Sequence, residues 1–370
     1  MYMEKQEVLI VDDDEINLKM LSSICKKDWK TYTANTAEHA LKLLGDVKPD
    51  IILLDVVMPG IDGFELCSIL KKRRQTKNIP IFFITADTDK VNEKKGLSVG
   101  AVDYLTKPFN AEVVKSRIRN QLELEKYRKN LEHLVKLKTL ELENTKEALI
   151  AAMAIMAEYR DNDTGMHIKR TGYYFKCLAC RLKEKFPEKL NDNNIDLMSQ
   201  SATLHDIGKV GITDKILLKC GDLTGKEYNA IKNHTLIGRD ILKRTEEFIG
   251  PSKFLRFARE IVEFHHERYD GAGYPHGIKG EEIPLSAQIM SIIDVYDALR
   301  SKRPYKKAMS HKEAVKIITI GDDRIKPSFF SPLVLNAFIE CASDFEYIHL
   351  ELQEKKEKDH SVNTTKQTLM

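Results

Sequence analysis

IILLDVVMPGIDG, residues 51–63, runs from four consecutive aliphatic residues into an aspartate and then into a turn rich in Pro, Gly and Asp. A short unbroken apolar run bounded by turn residues suits a strand buried on both faces, and such strands belong to parallel sheets covered by helices. Outward from it the pattern repeats: VLIV (8–11) precedes it, IFFIT (81–85) and YLTKP (104–108) follow, and EINLKMLSSICKK (15–27) and FELCSILKK (64–72) read as intervening amphipathic helices. Strands alternating with helices predict a doubly wound α/β domain whose functional groups gather beyond the carboxyl ends of the strands. Each strand ends in chemistry there: Asp12-Asp13, Asp55, Thr85 and Lys107-Pro108. Three carboxylates at one edge repel one another unless a divalent cation such as Mg2+, which prefers oxygen ligands, sits among them.

VDDDEIN (11–17), LLDVVMPGIDG (53–63), ITA (84–86) and YLTKPF (104–109), in this order, resemble a response-regulator receiver domain of flavodoxin-like fold, assigned to residues 1–120. The resemblance implies that Asp55 accepts a phosphoryl group from a cognate histidine kinase. By the same resemblance Asp12 and Asp13 hold Mg2+, Thr85 bonds the phosphoryl oxygens, Lys107 pairs with the added charge and Tyr104 is the rotamer switch.

Beyond this domain, SRIRNQLELEKYRKNLEHLVKLKTLELENTKEAL (116–149) contains neither Gly nor Pro and reads as one long helix. Leu124, Tyr127, Leu131 and Leu134 keep a and d spacing. The seam then steps by four residues to Val135, Lys138, Leu142, Thr145, Leu149, Ala152 and Met156. Heptads with one stutter predict a parallel coiled coil, hence a homodimer, over a linker of residues 121–152. The alternative is a linker helix packed on its own domain.

Residues 153–347 read as mostly helical, an all-α bundle, and they hold LHDIGKVGI (204–212). Its adjacent His205 and Asp206 put two metal ligands into one cleft. Of the 11 histidines in the chain, six fall from His167 to His276, a clustering that suits a polynuclear centre of imidazole and carboxylate ligands. RDNDTGMHIKRT (160–171), LHDIGKVGI, KNHTLIG (232–238), FHHERYDGAGYPHGIKGEEIP (264–284) and IIDVYDALRSKRPYKKAMS (292–310) resemble an HD-GYP domain. This is a branch of the HD phosphohydrolases that hydrolyse cyclic di-GMP.

The resemblance implies metal ligation by His167, His205, Asp206, His234, His265, His266 and Asp294, with Asp206 bridging and acting in catalysis. Lys209 would neutralise phosphate charge or protonate the leaving oxygen. Gly273, Tyr274 and Pro275 would form the loop near the nucleotide and a docking point for protein partners, and Arg303 and Lys306 would grip phosphates. Asp163 stands where part of the family has a Glu that builds a third metal site, so two or three divalent metals are expected. Iron or manganese suits a centre with N and O ligands and no thiolate. Ser331 departs from the family's usual Asp before Pro332 and predicts only a local turn effect. His39, His133, His311, His349 and His360 are read as ordinary histidines, and His276 is left outside the site.

Composition narrows the function further. With 42% hydrophobic and 31% charged residues and a net charge of +3 over 370 residues, the chain has the material for several cores but no basic face for DNA. The longest aliphatic stretch, Ala148 to Ala157, is too short to span a bilayer, and no secretory signal opens the chain, so a cytoplasmic protein without a membrane segment is expected. Six scattered cysteines form no disulfide framework, and Cys177 and Cys180 read as core-facing helix residues. The polar stretch 348–370 reads as a disordered tail. The expected activity is a phosphorylation-regulated phosphodiesterase that converts cyclic di-GMP to pGpG, with a further step to GMP left open. The alternatives are a hydrolase of another cyclic dinucleotide, such as cyclic GMP-AMP, or a catalytically silent nucleotide-sensing adaptor.

Overall fold

The computed structural model describes residues 5–86, 98–158, 166–219, 221–301 and 308–353. Asp163, Arg303 and Lys306 lie outside them, as do residues 354–370 of the expected tail. The chain divides into two compact units, residues 1–139 and 140–370.

In the first unit, β1 (Glu7–Val11), β2 (Lys30–Ala34), β3 (Ile51–Asp55), β4 (Ile81–Thr85) and β5 (Asp103–Thr106) form one parallel sheet in the order β2-β1-β3-β4-β5. Successive strand residues point to opposite faces, so the apolar runs build two cores. Val8, Ile10, Ile51, Leu53, Phe82 and Ile84 pack under Leu21, Cys25, Ile118 and Leu122. Leu9, Val11, Ile52, Leu54, Ile81 and Phe83 pack under Ala40, Leu44, Phe64 and Leu70. Helices Glu15–Cys25 and Gly63–Lys72 start immediately after the acidic turns because Asp14 and Asp62 cap them, the latter in a reciprocal capping box with Glu65. Every strand therefore delivers its last residue to the same edge.

Helix Ala111–Glu158 is 48 residues long, or ~72 Å at 1.5 Å per residue. Its first turns are anchored by buried Val114, Ile118 and Leu122 and its last by Ala154 and Ala157. Between these anchors Leu124, Tyr127, Leu131, Leu134, Leu142 and Leu149 are exposed. These apolar side chains are uncovered, while Lys129 reaches Asp50 at 3.8 Å and Lys146 reaches Gln200 at 2.9 Å.

The second unit is a helical bundle around Leu285–Arg300, which is buried nearly all round: Ile289, Met290, Ile292, Ile293 and Tyr296 are fully enclosed. Tyr174 and Phe175 of helix Met166–Leu182 and Phe338 of helix Pro332–Glu340 close over it. Tyr174 also stacks on Phe345 with ring centroids 4.5 Å apart. A smaller cluster of Ile168, Leu204, Ile207, Leu242, Leu255, Ala258 and Val262 ties together the segments that carry the histidines.

Two expectations are corrected. The last helix continues through residue 353 instead of giving way to a tail at 348, because His349 and Leu352 are buried against the bundle. Cys180 is exposed and Cys177 half-buried. Neither is a fully core-facing residue, since their helix presents Leu178, Ala179 and Leu182 to the core. Ser331 is buried and precedes Pro332 at the helix start without a side-chain cap.

Candidate metal centre and receiver site

LHDIGKVGI follows helix Asp192–Ala202 and tightens into a 3-10 turn, Ile207–Gly211. The turn packs close to helix His234–Ile249: a Cβ at Gly208 would fall 1.8 Å from the His234 carbonyl oxygen. Only glycine permits that approach, which places Asp206 beside His234. The Asp206 carboxylate then faces two ways. Oδ1 lies 3.3 Å from His234 Nε2 and 4.0 Å from His265 Nε2, while Oδ2 lies 3.3 Å from His205 Nε2 and 2.9 Å from Lys209 Nζ. Asp294 Oδ1 is 4.0 Å from His205 Nε2.

The histidine rings are oriented from behind. Nδ1 of His205 donates to the Ala202 carbonyl at 3.0 Å, that of His234 to Ile231 at 2.8 Å, and that of His265 to Ile261 and Val262 at 3.0 Å. His167 Nδ1 bonds Asp297 Oδ2 at 2.6 Å. A carbonyl only accepts, so a neutral ring held this way keeps its proton on Nδ1 and turns the Nε2 lone pair into the cleft. His234 and His265 bring two such Nε2 atoms within 3.5 Å of each other. Burial, then the neighbouring His205 and His234, pushes the His265 imidazolium down to about 3. Burial and His265 hold His266 well below its usual value. Burial opposes the charge on Asp206, but Lys209 and the histidines outweigh it and keep the carboxyl well below the ordinary range.

Two donor groups emerge whose ligand atoms lie within 4.8 Å of one another: His234, His265 and His266, and Glu158, His167 and His205. Neither His205 Nε2 nor Glu158 Oε2 has a hydrogen-bond partner. Convergent lone pairs, carboxylates and unmatched buried acceptors fit divalent cations of the imidazole-binding kind. The GYP loop lies alongside. Tyr274 donates its backbone N–H to the His266 carbonyl at 3.2 Å, and the two rings are 4.7 Å apart. Gly273 is obligatory, as a Cβ there would meet the Arg268 nitrogen at 2.3 Å. His276 turns away to Glu263 at 2.9 Å.

Four residues escaped sequence reasoning. Asp297 orients His167 and is itself gripped by Arg170 through Nε at 2.6 Å and Nη2 at 2.8 Å. Both sit three residues after a ligand candidate, Asp294 or His167, and that spacing on one helix face was the available signal. Buried Glu267 accepts from the backbone of His276 and Gly277 at 2.7 and 3.1 Å and so shapes the loop. Glu158, nine residues before His167, carried no pattern.

In the first unit Asp12, Asp13 and Asp55 offer oxygens within 4.8 Å of one another, a set that fits Mg2+. Lys107 Nζ bridges Asp12 at 3.2 Å and Asp55 at 3.1 Å. Burial and then Asp12 push the Asp55 carboxyl up to about 6. Thr85 ends the neighbouring strand, and Tyr104 is turned inward with its ring 5.8 Å from that of Phe83.

Known proteins match this arrangement in both units. A response regulator receiver domain matches residues 8–119 and an HD domain residues 175–327. A protein of Vibrio cholerae named "Probable cyclic di-GMP phosphodiesterase" is 40% identical over 342 residues, covering 90% of this chain and 77% of its own. The cyclic di-GMP phosphodiesterase of Thermotoga maritima is 33% identical over 96% of this chain and 95% of its own. The chain belongs to the response regulators that join a receiver to an HD domain. Another member, the cyclic di-GMP phosphodiesterase response regulator RpfG of Xanthomonas campestris pv. campestris, is 31% identical and is covered over 89% of its length. In this response regulator no described helix is long and apolar enough to cross a membrane.

Proposed function

We propose that this response regulator is a metal-dependent cyclic di-GMP phosphodiesterase controlled by phosphorylation at Asp55. The observation that carries the reading is the convergence of the Nε2 atoms of His205, His234 and His265 around the two oxygens of Asp206. His167, His205, Asp206, His234, His265, His266 and Asp294 would hold two divalent ions, iron or manganese, with Asp206 between them. Asp163 is a further ligand candidate. Such ions supply hydroxide near neutral pH and charge stabilisation for a phosphodiester.

The chain's own residues do the rest. Lys209, 2.9 Å from Asp206, would neutralise the phosphate charge or protonate the leaving oxygen. Tyr274, held against His266, offers a ring for a guanine base, with Gly273 and Pro275 fixing the loop. Arg303 and Lys306 would grip the flanking phosphates. In the receiver, Asp12 and Asp13 bind Mg2+, while Lys107, Thr85 and Tyr104 read the new charge on Asp55 after transfer from a histidine kinase. The exposed seam of helix Ala111–Glu158 pairs two chains.

The test is chromatographic: anaerobically prepared, iron- or manganese-loaded protein is incubated side by side with cyclic di-GMP and cyclic GMP-AMP. Faster loss of cyclic di-GMP, with pGpG and then GMP appearing, supports the reading. Preference for the hybrid dinucleotide, or no turnover by metallated protein, contradicts it.

A further inference from the structure

Glu158 is the last residue of the helix that starts at Ala111, and it is only 4% exposed. Its Oε1 lies 3.5 Å from His167 Nε2, while Oε2 has no hydrogen-bond partner. The facing His205 Nε2 makes no hydrogen bond either, and its near neighbour at 3.3 Å, Asp206 Oδ2, is itself an acceptor. A buried carboxylate oxygen without a donor is costly, and a second unmatched acceptor opposite it compounds the cost. A single long hydrogen bond from His167 to Oε1 would relieve one of these atoms and leave the other two. A cation in the space they enclose satisfies all three, and the ligand atoms of Glu158, His167 and His205 already lie within 4.8 Å of one another. His167 is committed to this geometry, because Asp297 and Arg170 fix its ring from the other side.

We infer that Glu158 is a metal ligand, completing with His167 and His205 a subsite distinct from that of His234, His265 and His266. This rests on the reading of the cleft as a metal centre. The carboxylate is thus supplied by the end of the linker helix, outside every motif that names the domain.

The test is equilibrium dialysis of the full chain against Mn2+ without nucleotide, counting bound manganese and recording its electron paramagnetic resonance spectrum, for wild type and Glu158→Gln. Glutamine keeps the shape of the side chain and can still accept a hydrogen bond from His167, so a merely positioning role survives the change. Loss of one manganese ion per chain, or weakening of the less tightly held ion by at least ~10-fold, is expected; removal of a group one bond further out already costs that much. The helical circular dichroism should be unchanged. Wild-type stoichiometry, affinity and spectrum in Glu158→Gln would overturn the inference. Should that variant not fold, Glu158→Asp, which withdraws the charge by one methylene, takes its place, and unchanged manganese binding there overturns it equally. Because no substrate is present, this result is independent of whether cyclic di-GMP is hydrolysed.

Discussion

A histidine becomes a metal ligand through what holds its other nitrogen. In His167 that group is Asp297, clamped in turn by Arg170. Replacing Asp297 with Asn frees the ring to take either tautomer and leaves the Arg170 guanidinium without its anion. Manganese affinity of the His167 subsite is expected to fall ~10–100-fold with little change at the His234 subsite, as titration of the two ions would show. The proposed ligands could be picked out in the sequence because they lie in short motifs, among them the adjacent His205-Asp206 and His265-His266. Asp297 and Arg170 left only their three-residue offset from Asp294 and His167 as a signal, and Glu158, at the end of another helix, left none. Away from the cleft, His349 is buried under a hydrogen bond with the Tyr174 hydroxyl at 3.2 Å. Burial first, then Arg300 and Arg170, lowers it from 6.5 to about 4. The folded state therefore resists the proton that the unfolded state accepts, so this contribution is present above pH 6.5 and is lost as pH falls toward 4. Denaturant unfolding should show a loss on the order of 2 kcal/mol across that window, flattened in His349→Gln.

At the scale of elements, the parallel strands were legible because apolar runs ending in acidic turns leave few other foldings. Close approaches between helices were less so: nothing in the sequence says that Gly208 meets the first turn of helix His234–Ile249. Gly208→Ala should separate the two, with a drop of at least ~2 kcal/mol in stability by denaturant titration and loss of the ion beside His234. The linker helix was legible throughout its length, and at its C-terminal end the seam residues Ala152 and Met156 are exposed while Ala154 and Ala157 are buried. The exposed seam residues from Leu124 to Met156 are the ones proposed to pair. Light scattering at micromolar concentration should give a dimer, and Leu131→Glu combined with Leu142→Glu a monomer. A wild-type monomer would remove the coiled coil from the account.

At the scale of the whole molecule, one chain carries a receiver unit whose acidic cluster of Asp12, Asp13 and Asp55 fits Mg2+, and a second unit in which imidazoles and carboxylates converge. Both were readable because each rests on short motifs in a fixed order, and relatives matched over nearly the full chain keep the two together. The central claim is that Asp206 organises a hydrolytic metal centre. The measurement that tests it most directly is the rate of cyclic di-GMP loss, followed chromatographically, for manganese-loaded wild type and Asp206→Asn matched for folding by circular dichroism. The account predicts conversion to pGpG by wild type and a fall of at least ~10³-fold in the variant, accompanied by loss of bound manganese. Comparable turnover by Asp206→Asn, or an inert wild type carrying its full complement of metal, would contradict it.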